Sequence, residues 1–254
     1  MTTEEYRAHP ALNFSLAKAL LKSPAHFQAA KNEVREATSA MHIGTIAHAL
    51  ILEGQDITSH YAIRPAGMSF VTKEGKAWKA EQTKPIIGFD EAVDIYDMAK
   101  AVGANAHASH ILKQCQHRET PIFSSVMGVE CKALLDCHGT DGNEWVICDL
   151  KTTQDASPRG FAKSVADMHY DLQAAWYSAI LAKSEQIETA PFWTWIAVEK
   201  KAPFVNVVYT AEQWVESGLR KLEIVLEKYQ ECTESGEWPL PYQGIHQLEK
   251  PNWV

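Results

Sequence analysis

Apolar and polar residues follow two periods along this chain, and the changes between them mark its parts. Leu12, Leu16, Ala19 and Leu20 keep helical spacing up to about Leu21, with Asn13 or Ser15 placed to cap the first turn. Ser23-Pro24 opens a second helix, because proline is tolerated in a first turn. Residues 1–11 read as a short mobile lead and Lys31–Ser39 as a loop or frayed end. Ile43, Ile46, Ala47, Leu50 and Ile51 mark a helix over Met41–Glu53, which Gly54 ends. Helices are also predicted from Glu91 to Gly103, capped by Asp90, and from Ala106 to Cys115. Alternation then takes over. Strands are expected to begin at Glu119–Phe123 and to run over Val129–Cys137 and Glu144–Lys151, with His138–Asn143 as the turn between the last two. One long helix, opened by Ser157-Pro158, carries Tyr170, Gln173 and Tyr177 on one face, with Trp176 and Ile180 in the core. Phe192–Glu199 and Phe204–Tyr209 read as a strand pair across Lys200–Pro203. A helix from Ala211 to Ser235 follows, with Trp214, Leu219, Leu222, Val225, Leu226 and Tyr229 as its apolar face, and Gly236 ends it. The tail from Trp238 holds Pro239, Pro241 and Pro251 and is extended. Trp238, Tyr242 and Trp253 are its anchors, for docking on its own domain or on a neighbouring subunit.

The pattern predicts a single α/β domain over residues 1–254: a helical N-terminal part at about 12–60, a core at about 119–210 and an extended tail at 238–254. The 254 residues, 46% of them hydrophobic, suffice for a sizeable core. No apolar run approaches a membrane span and no charged-then-apolar signal opens the chain, so a cytoplasmic location is expected. Cysteines 115, 131, 137, 148 and 232 form no C-x-x-C pair and read as reduced core thiols.

A net charge of −8 argues against a protein that simply coats nucleic acid. It leaves room for an enzyme whose acids hold a metal while a local basic strip meets phosphate. The most basic stretch holds Arg64, Lys73, Lys76, Lys79 and Lys84. It is either a solvated face or a surface for the DNA backbone, with Phe70 and Trp78 near enough to stack on a frayed end. The chain contains no G-x-x-x-x-G-K-[ST] loop, so no built-in helicase and no nucleotide cofactor is expected.

The candidate chemistry lies on the central hairpin. Residues two apart on a strand share a face, so Asp149 and Lys151 point the same way and Asp136 can come alongside. Two carboxylates there repel unless a cation sits between them, and hard oxygen ligands suit Mg²⁺ or Mn²⁺. Such an ion would polarise a phosphate and acidify a water, with Lys151 positioning that water or opposing the charge built on phosphorus. The alternative is a polar hairpin end with a surface ion pair. Lys132 shares the Asp136 face and is a candidate phosphate contact, or else an ion-pair partner of Glu130 or Glu144. Thr152 and Thr153 either donate to a phosphate or end the strand. His48 is a half-buried, hydrogen-bonded histidine or a ligand. Glu119 is a surface acid or lines the cleft.

Taken in order, Gly44-x-x-x-His48, Asp136 with Asp149-Leu-Lys-Thr-Thr153, and Gln173-x-x-x-Tyr177 resemble the RecB-like branch of the PD-(D/E)xK nuclease superfamily, in particular the exonuclease VIII (RecE) type. Ser23-Pro24-Ala-His-Phe27, Ser157-Pro158 through Phe161, Ala197–Lys200 with Pro203, and Pro251-Asn-Trp253 agree, so the resemblance runs from about Leu12 to Trp253. The leading Pro of the signature is missing, since Leu134-Leu135 precede Asp136. The cysteine quartet of iron–sulfur relatives has no counterpart. The resemblance implies a restriction-endonuclease-like mixed sheet flanked by helices. It implies Asp136, Asp149 and the Leu150 carbonyl as metal ligands, and His48 as ligand of a second ion or contact to phosphate. Lys151 would position the attacking water, and Gln173 and Tyr177 would orient the scissile phosphate. It further implies Mg²⁺, with Mn²⁺ as substitute and up to two ions per site. The substrate would be linear double-stranded DNA, digested 5′ to 3′ by a ring-shaped homo-oligomer, with a single-strand annealing protein as partner. A nuclease for single strands or flaps, and an inactive DNA-end-binding module, are the competing readings.

Overall fold

The computed structural model describes residues 3–33, 39–142 and 144–250. In chain order its first elements are α1 (Thr3–Ala8), β1 (Leu12–Asn13), α2 (Phe14–Lys22), α3 (Pro24–Asn32), α4 (Ser39–Glu53), β2 (Ala62–Ile63), α5 (Lys73–Glu81), β3 (Ile86–Ile87), α6 (Phe89–Ala104) and α7 (Ala106–Gln114). There follow β4 (His117–Val126), β5 (Val129–Asp141), β6 (Glu144–Thr153), α8 (Pro158–Met168), α9 (Tyr170–Ser184), β7 (Phe192–Glu199), β8 (Asn206–Thr210) and α10 (Val215–Ser235).

The spine of the molecule is β5. Along one edge β4 pairs with it antiparallel, from Val126↔Val129 to His117↔His138. Its other edge is shared. Parallel β1 covers Cys131 and Lys132, and antiparallel β6 covers Cys137 to Asp141. The β5–β6 ladder stops at Cys137↔Cys148, and beyond that point β6 pairs only with parallel β7, from Val146↔Phe192 to Thr153↔Glu199. Antiparallel β8 closes the sheet. The result is a mixed central sheet with a cleft between β5 and β6.

Helices cover both faces. Leu20, Phe27, Phe161, Leu172, Trp176 and Leu226 pack on one side against Trp195 and Ala197. Ile46, Ile95, Met98 and Ala108 pack on the other against Ile196 and Val198. This is the alternation expected of a strand buried on both faces. On β5 the alternation breaks. Ala133 and Leu135 belong to the first core, whereas Cys137 belongs to the second. The change falls at Asp136. Opposite it on β4, Glu119 has φ +43°, a left-handed conformation that costs a non-glycine residue about 1–3 kcal/mol.

Several expectations from the sequence hold. Asn13 caps α2 and Ser23 caps α3, each accepting from a first-turn N–H. Gly54 and Gly236 follow α4 and α10 with positive φ. All five cysteines are free and buried. Other expectations need correction. Residues 3–8 are helical rather than a loose lead, because Lys132 gathers carbonyls at and just beyond the C-terminal end of the helix, those of Tyr6 and His9. Gly88 caps α6 in place of Asp90, its N–H donating to the Glu91 carboxylate at 2.9 Å. The central hairpin is longer than expected: Asp141 pairs with Glu144, so the turn shrinks to Gly142, with φ +65°, and Asn143, which lies outside the described residues. The single long helix is two, broken at left-handed His169. Leu219 is not core but 44% exposed. In the tail, Trp238 stacks on Phe27 at 4.7 Å and meets Tyr229 edge-on, whereas Tyr242 stands in solvent; Trp253 lies outside the described residues. No helix of the described residues is long and apolar enough to cross a membrane.

Candidate active site

The site forms where β6 parts from β5. In a strand the N–H and C=O of one residue point the same way. At Leu150 both face the place where β5 would have continued the ladder. Side chains fill the vacated positions. The Leu150 N–H donates to Asp136 Oδ2 at 2.9 Å, and the Leu150 carbonyl accepts from His48 Nε2 at 2.7 Å. Helix α4 brings His48 close. Its Gly44 faces the end of β6, where an added Cβ would lie 3.7 Å from Thr152 Oγ1.

A carbonyl only accepts, so His48 donates to it from Nε2, and Nδ1 is the ring nitrogen that faces the acids. Nδ1 lies 3.4 Å from Asp136 Oδ2 and 4.0 Å from Glu119 Oε1. The three ligand atoms lie within 4.8 Å of one another. A hard divalent ion with bonds of about 2.1 Å separates opposite ligands by about 4.2 Å, so the cluster has the right dimensions. An imidazole that donates its other N–H to a carbonyl is also the usual orientation of a metal-ligating histidine.

Beside this cluster, Asp149 is buried. Its Oδ1 accepts from Gln173 Nε2 at 2.9 Å and its Oδ2 pairs with Lys151 Nζ at 2.5 Å. Lys151 Nζ also lies 4.5 Å from the centre of the Tyr170 ring, a cation–π contact. Burial alone would depress the Lys151 ammonium. The Asp149 and Asp136 carboxylates outweigh it and hold Lys151 above the ordinary lysine value. The acids are pushed the other way. Burial and then the Asp136 charge raise Glu119 to about 7. Burial raises Asp149 to about 6, the Asp136 charge adding to it and the Lys151 charge opposing it. Carboxylates that resist ionisation in one cleft describe a place where a cation is favoured, and their oxygens suit Mg²⁺ or Mn²⁺.

The family model that matches residues 13–249 is described as a PDDEXK-like domain of unknown function (DUF3799). The chain belongs to this family. The structure of this PDDEXK-like domain is similar to a crystal structure from Eubacterium rectale, provisionally described as an exonuclease. The two are 13% identical, with a TM-score of 0.65 over 99% of this chain and 95% of that one, a likeness of fold. A second crystal structure, SSO0001, aligns over 84% of each chain at 12% identity, but its TM-score of 0.29 carries no argument. A search of the curated proteins gives no match.

The predicted site residues of this PDDEXK-like domain fare unequally. Asp136, Asp149, Leu150, Lys151, His48 and Gln173 come together. Tyr177 lies one turn beyond Gln173, edge-on to Phe14 and Trp193, and burial holds its hydroxyl well above the ordinary tyrosine value. The expected ligands meet other partners in this structure. Asp149 and the Leu150 carbonyl are engaged by Lys151, Gln173 and His48, and Glu119 takes the open place beside His48 and Asp136. Lys132 is not a phosphate contact. It is 2% exposed, and its Nζ donates to the carbonyls of Tyr6 at 2.7 Å and His9 at 2.6 Å. Thr153 is likewise turned inward, its hydroxyl donating to the Asp155 carbonyl and accepting from the Asp155 N–H. Thr152 faces α4. Lys73 and Lys76 stand exposed on α5, apart from the cluster. In the same segment Phe70 stacks on Trp78, with Arg64 and Lys79 over the Phe70 ring.

Proposed function

We propose that this domain is a metal-dependent exodeoxyribonuclease of the exonuclease VIII type. It would digest linear double-stranded DNA from the 5′ end and leave 3′ single-stranded tails for strand annealing. The observation that carries the reading is the charged Lys151–Asp149 pair set against the open His48, Glu119 and Asp136 cluster. The exonuclease description of the E. rectale structure agrees with it.

His48, Glu119 and Asp136 would hold Mg²⁺ or Mn²⁺, with Asp149 able to join them. The bound ion would supply polarisation of the scissile phosphate and acidification of water. The side chains do the rest. Gln173 fixes the Asp149 carboxylate by one oxygen and leaves the other toward Lys151. Lys151, held charged, donates rather than accepts, so it opposes the negative charge that builds on the phosphate oxygens. Tyr170 beneath it limits where the ammonium can go. Tyr177 stays protonated and is available as a donor. The exposed cations of α5, Lys73 and Lys76, are the candidates for the DNA backbone. A ring-shaped assembly and an annealing partner belong to the same proposal.

The test is digestion of linear duplex DNA labelled at the 5′ or the 3′ end, with Mg²⁺ and with EDTA, beside closed circular DNA. Early release of the 5′ label from linear DNA alone, abolished by EDTA, is expected. Cleavage restricted to single strands would replace the proposal with a flap- or single-strand-specific nuclease, and no cleavage with either metal would leave a binding module.

A further inference from the structure

Between α4 and α6, on the unit built from β2, β3 and α5, lies a cavity of about 330 Å³ lined by Arg64, Phe70, Lys79, Ile86, Gly88 and Glu91. Its walls are held in place by the backbone. Strands β2 and β3 pair in parallel, and the Arg64 N–H extends their ladder to the Ile87 carbonyl at 2.9 Å. The loop after Arg64 is clamped onto α5. Thr72 caps that helix by accepting from the Gly75 N–H at 3.1 Å, and its hydroxyl donates to the Ser69 carbonyl at 3.0 Å. A Cβ on Gly75 would collide with that same carbonyl oxygen. Phe70 is thereby set against Trp78, the two rings stacked 6.3 Å apart at 14°.

The charges on this cavity do not balance. The Arg64 guanidinium lies 5.4 Å and the Lys79 ammonium 5.3 Å from the centre of the Phe70 ring. Neither cation forms an ion pair among the described residues. The acid on the cavity, Glu91, is turned to the start of α6, where its Oε2 accepts from the Gly88 N–H at 2.9 Å. A cation over a ring gains little at an exposed site, and two cations sharing one ring repel each other. An anion between them removes that repulsion. Arg64 presents the planar fork that takes two phosphate oxygens at once, with Lys79 as a point charge beside it. A phosphate alone leaves the rest of the cavity unused. The Phe70–Trp78 stack and Ile86 offer flat apolar surface beside the cations, the kind of surface on which a base stacks. The other oxygen of Glu91 is an acceptor for a base N–H and repels a second phosphate.

The cavity also lies close to the helix that carries His48. Ile86 and Glu91 line a neighbouring cavity together with His42, Ile43 and Ile46 of α4. From Ile43 to His48 the helix rises about 7.5 Å. We propose that the Arg64, Phe70 and Lys79 cavity is a subsite for one unpaired nucleotide of a DNA strand, its phosphate between the two cations and its base against the Phe70–Trp78 stack. A paired base keeps both faces stacked inside the duplex, so the subsite takes a nucleotide from a frayed or single-stranded end. The proposal rests on the nuclease reading only in taking DNA as the occupant.

Fluorescence anisotropy in EDTA tests it, since the readout then needs no cleavage. The probes are a labelled oligothymidine strand, an abasic deoxyribose-phosphate strand of the same length and a blunt duplex. The proteins are the whole chain, Arg64→Gln, Lys79→Gln and Phe70→Leu, each checked by thermal unfolding. Each substitution is expected to weaken binding of the thymidine strand about tenfold or more and of the duplex less than about twofold. Lys79→Gln should also lower the slope of log Kd against log salt by about 0.7, the share of one phosphate on a single strand. The whole chain should prefer thymidine to the abasic strand, and Phe70→Leu should lose that preference. Lys79 is exposed, so its variant decides the matter even where Phe70→Leu fails to fold. Unchanged binding in Arg64→Gln and Lys79→Gln overturns the subsite, as does an abasic strand held as tightly as thymidine or an equal loss on the duplex. Each of these leaves the nuclease reading to its own digestion test. Selective loss of single-strand binding in a chain that never cleaves DNA upholds the subsite and rejects the nuclease.

Discussion

His48 joins two jobs through its two ring nitrogens: one anchors it to the Leu150 carbonyl, the other faces Asp136 and Glu119. Glu119→Gln keeps the shape of that cluster and removes a charge. It is expected to weaken Mg²⁺ binding about tenfold or more in calorimetry, with the thermal unfolding of the metal-free chain unimpaired. Lys151→Ala should leave folding and metal binding in place and lower cleavage by about 10²–10³-fold, in line with removal of one charge-stabilising donor. Asp149→Ala should lose metal binding as well. Full activity in Lys151→Ala would remove the mechanism. At this scale the sequence told much. Period-two spacing suffices to pair Asp149 with Lys151, and i, i+3, i+7 spacing to place Gln173. It left Glu119 open between a surface acid and a cleft-lining one, because its place beside His48 and Asp136 depends on a left-handed backbone at that residue. Nor did it show that Lys132 is consumed by α1, because nothing local marks a lysine as the holder of three carbonyls from the start of the chain.

The elements that carry these residues are held by close backbone approach and a few buried polar links. Helix α10 lies on α9 so tightly that a Cβ on Gly218 would meet the Asp171 carbonyl oxygen at 2.3 Å, and Lys221 pairs with Asp171 at 2.6 Å. Gly218→Ala is expected to cost about 1–3 kcal/mol by overpacking, read in urea unfolding. It should also lower activity, because Gln173 is two residues beyond Asp171 on the displaced helix. Lys132→Met leaves the Tyr6 and His9 carbonyls without their donor. A loss of about 2–4 kcal/mol is expected, with the Michaelis constant for DNA unchanged, which separates a structural lysine from a phosphate contact. Helix existence and most caps were legible from apolar spacing and from Asn13, Ser23 and Ser157. The break between α8 and α9 was not, since His169 adopts the left-handed conformation that glycine more often signals.

The cluster also ties the stability of the whole molecule to pH. Asp149 and Glu119 both bind their protons more tightly in the folded chain than at their ordinary values of 3.8 and 4.5. The stability they contribute is complete below those values. It is lost as the pH rises through about 6 for Asp149 and about 7 for Glu119. Without metal, the melting temperature is expected to fall between about pH 4 and pH 7 and to level off above, by about 2–4 °C per kcal/mol for a chain of this size. Added Mg²⁺ should raise it more at the alkaline end, since only ionised carboxylates bind the ion. Scanning calorimetry across that range, with and without Mg²⁺, checks both signs.

The order in which the sheet is threaded has a consequence for the chain while it is being made. Strand β1 emerges early but pairs with β5 at Cys131 and Lys132, and α4 emerges long before the Leu150 carbonyl that orients His48. Pairings so distant along the chain form slowly, and here they also wait for the ribosome. One of the three members of the cluster, His48, is therefore translated well ahead of the other two, and Gln173 later still. A nascent chain released short of β6 lacks the Leu150 carbonyl that orients His48, so incomplete translation products of this domain hold no assembled site.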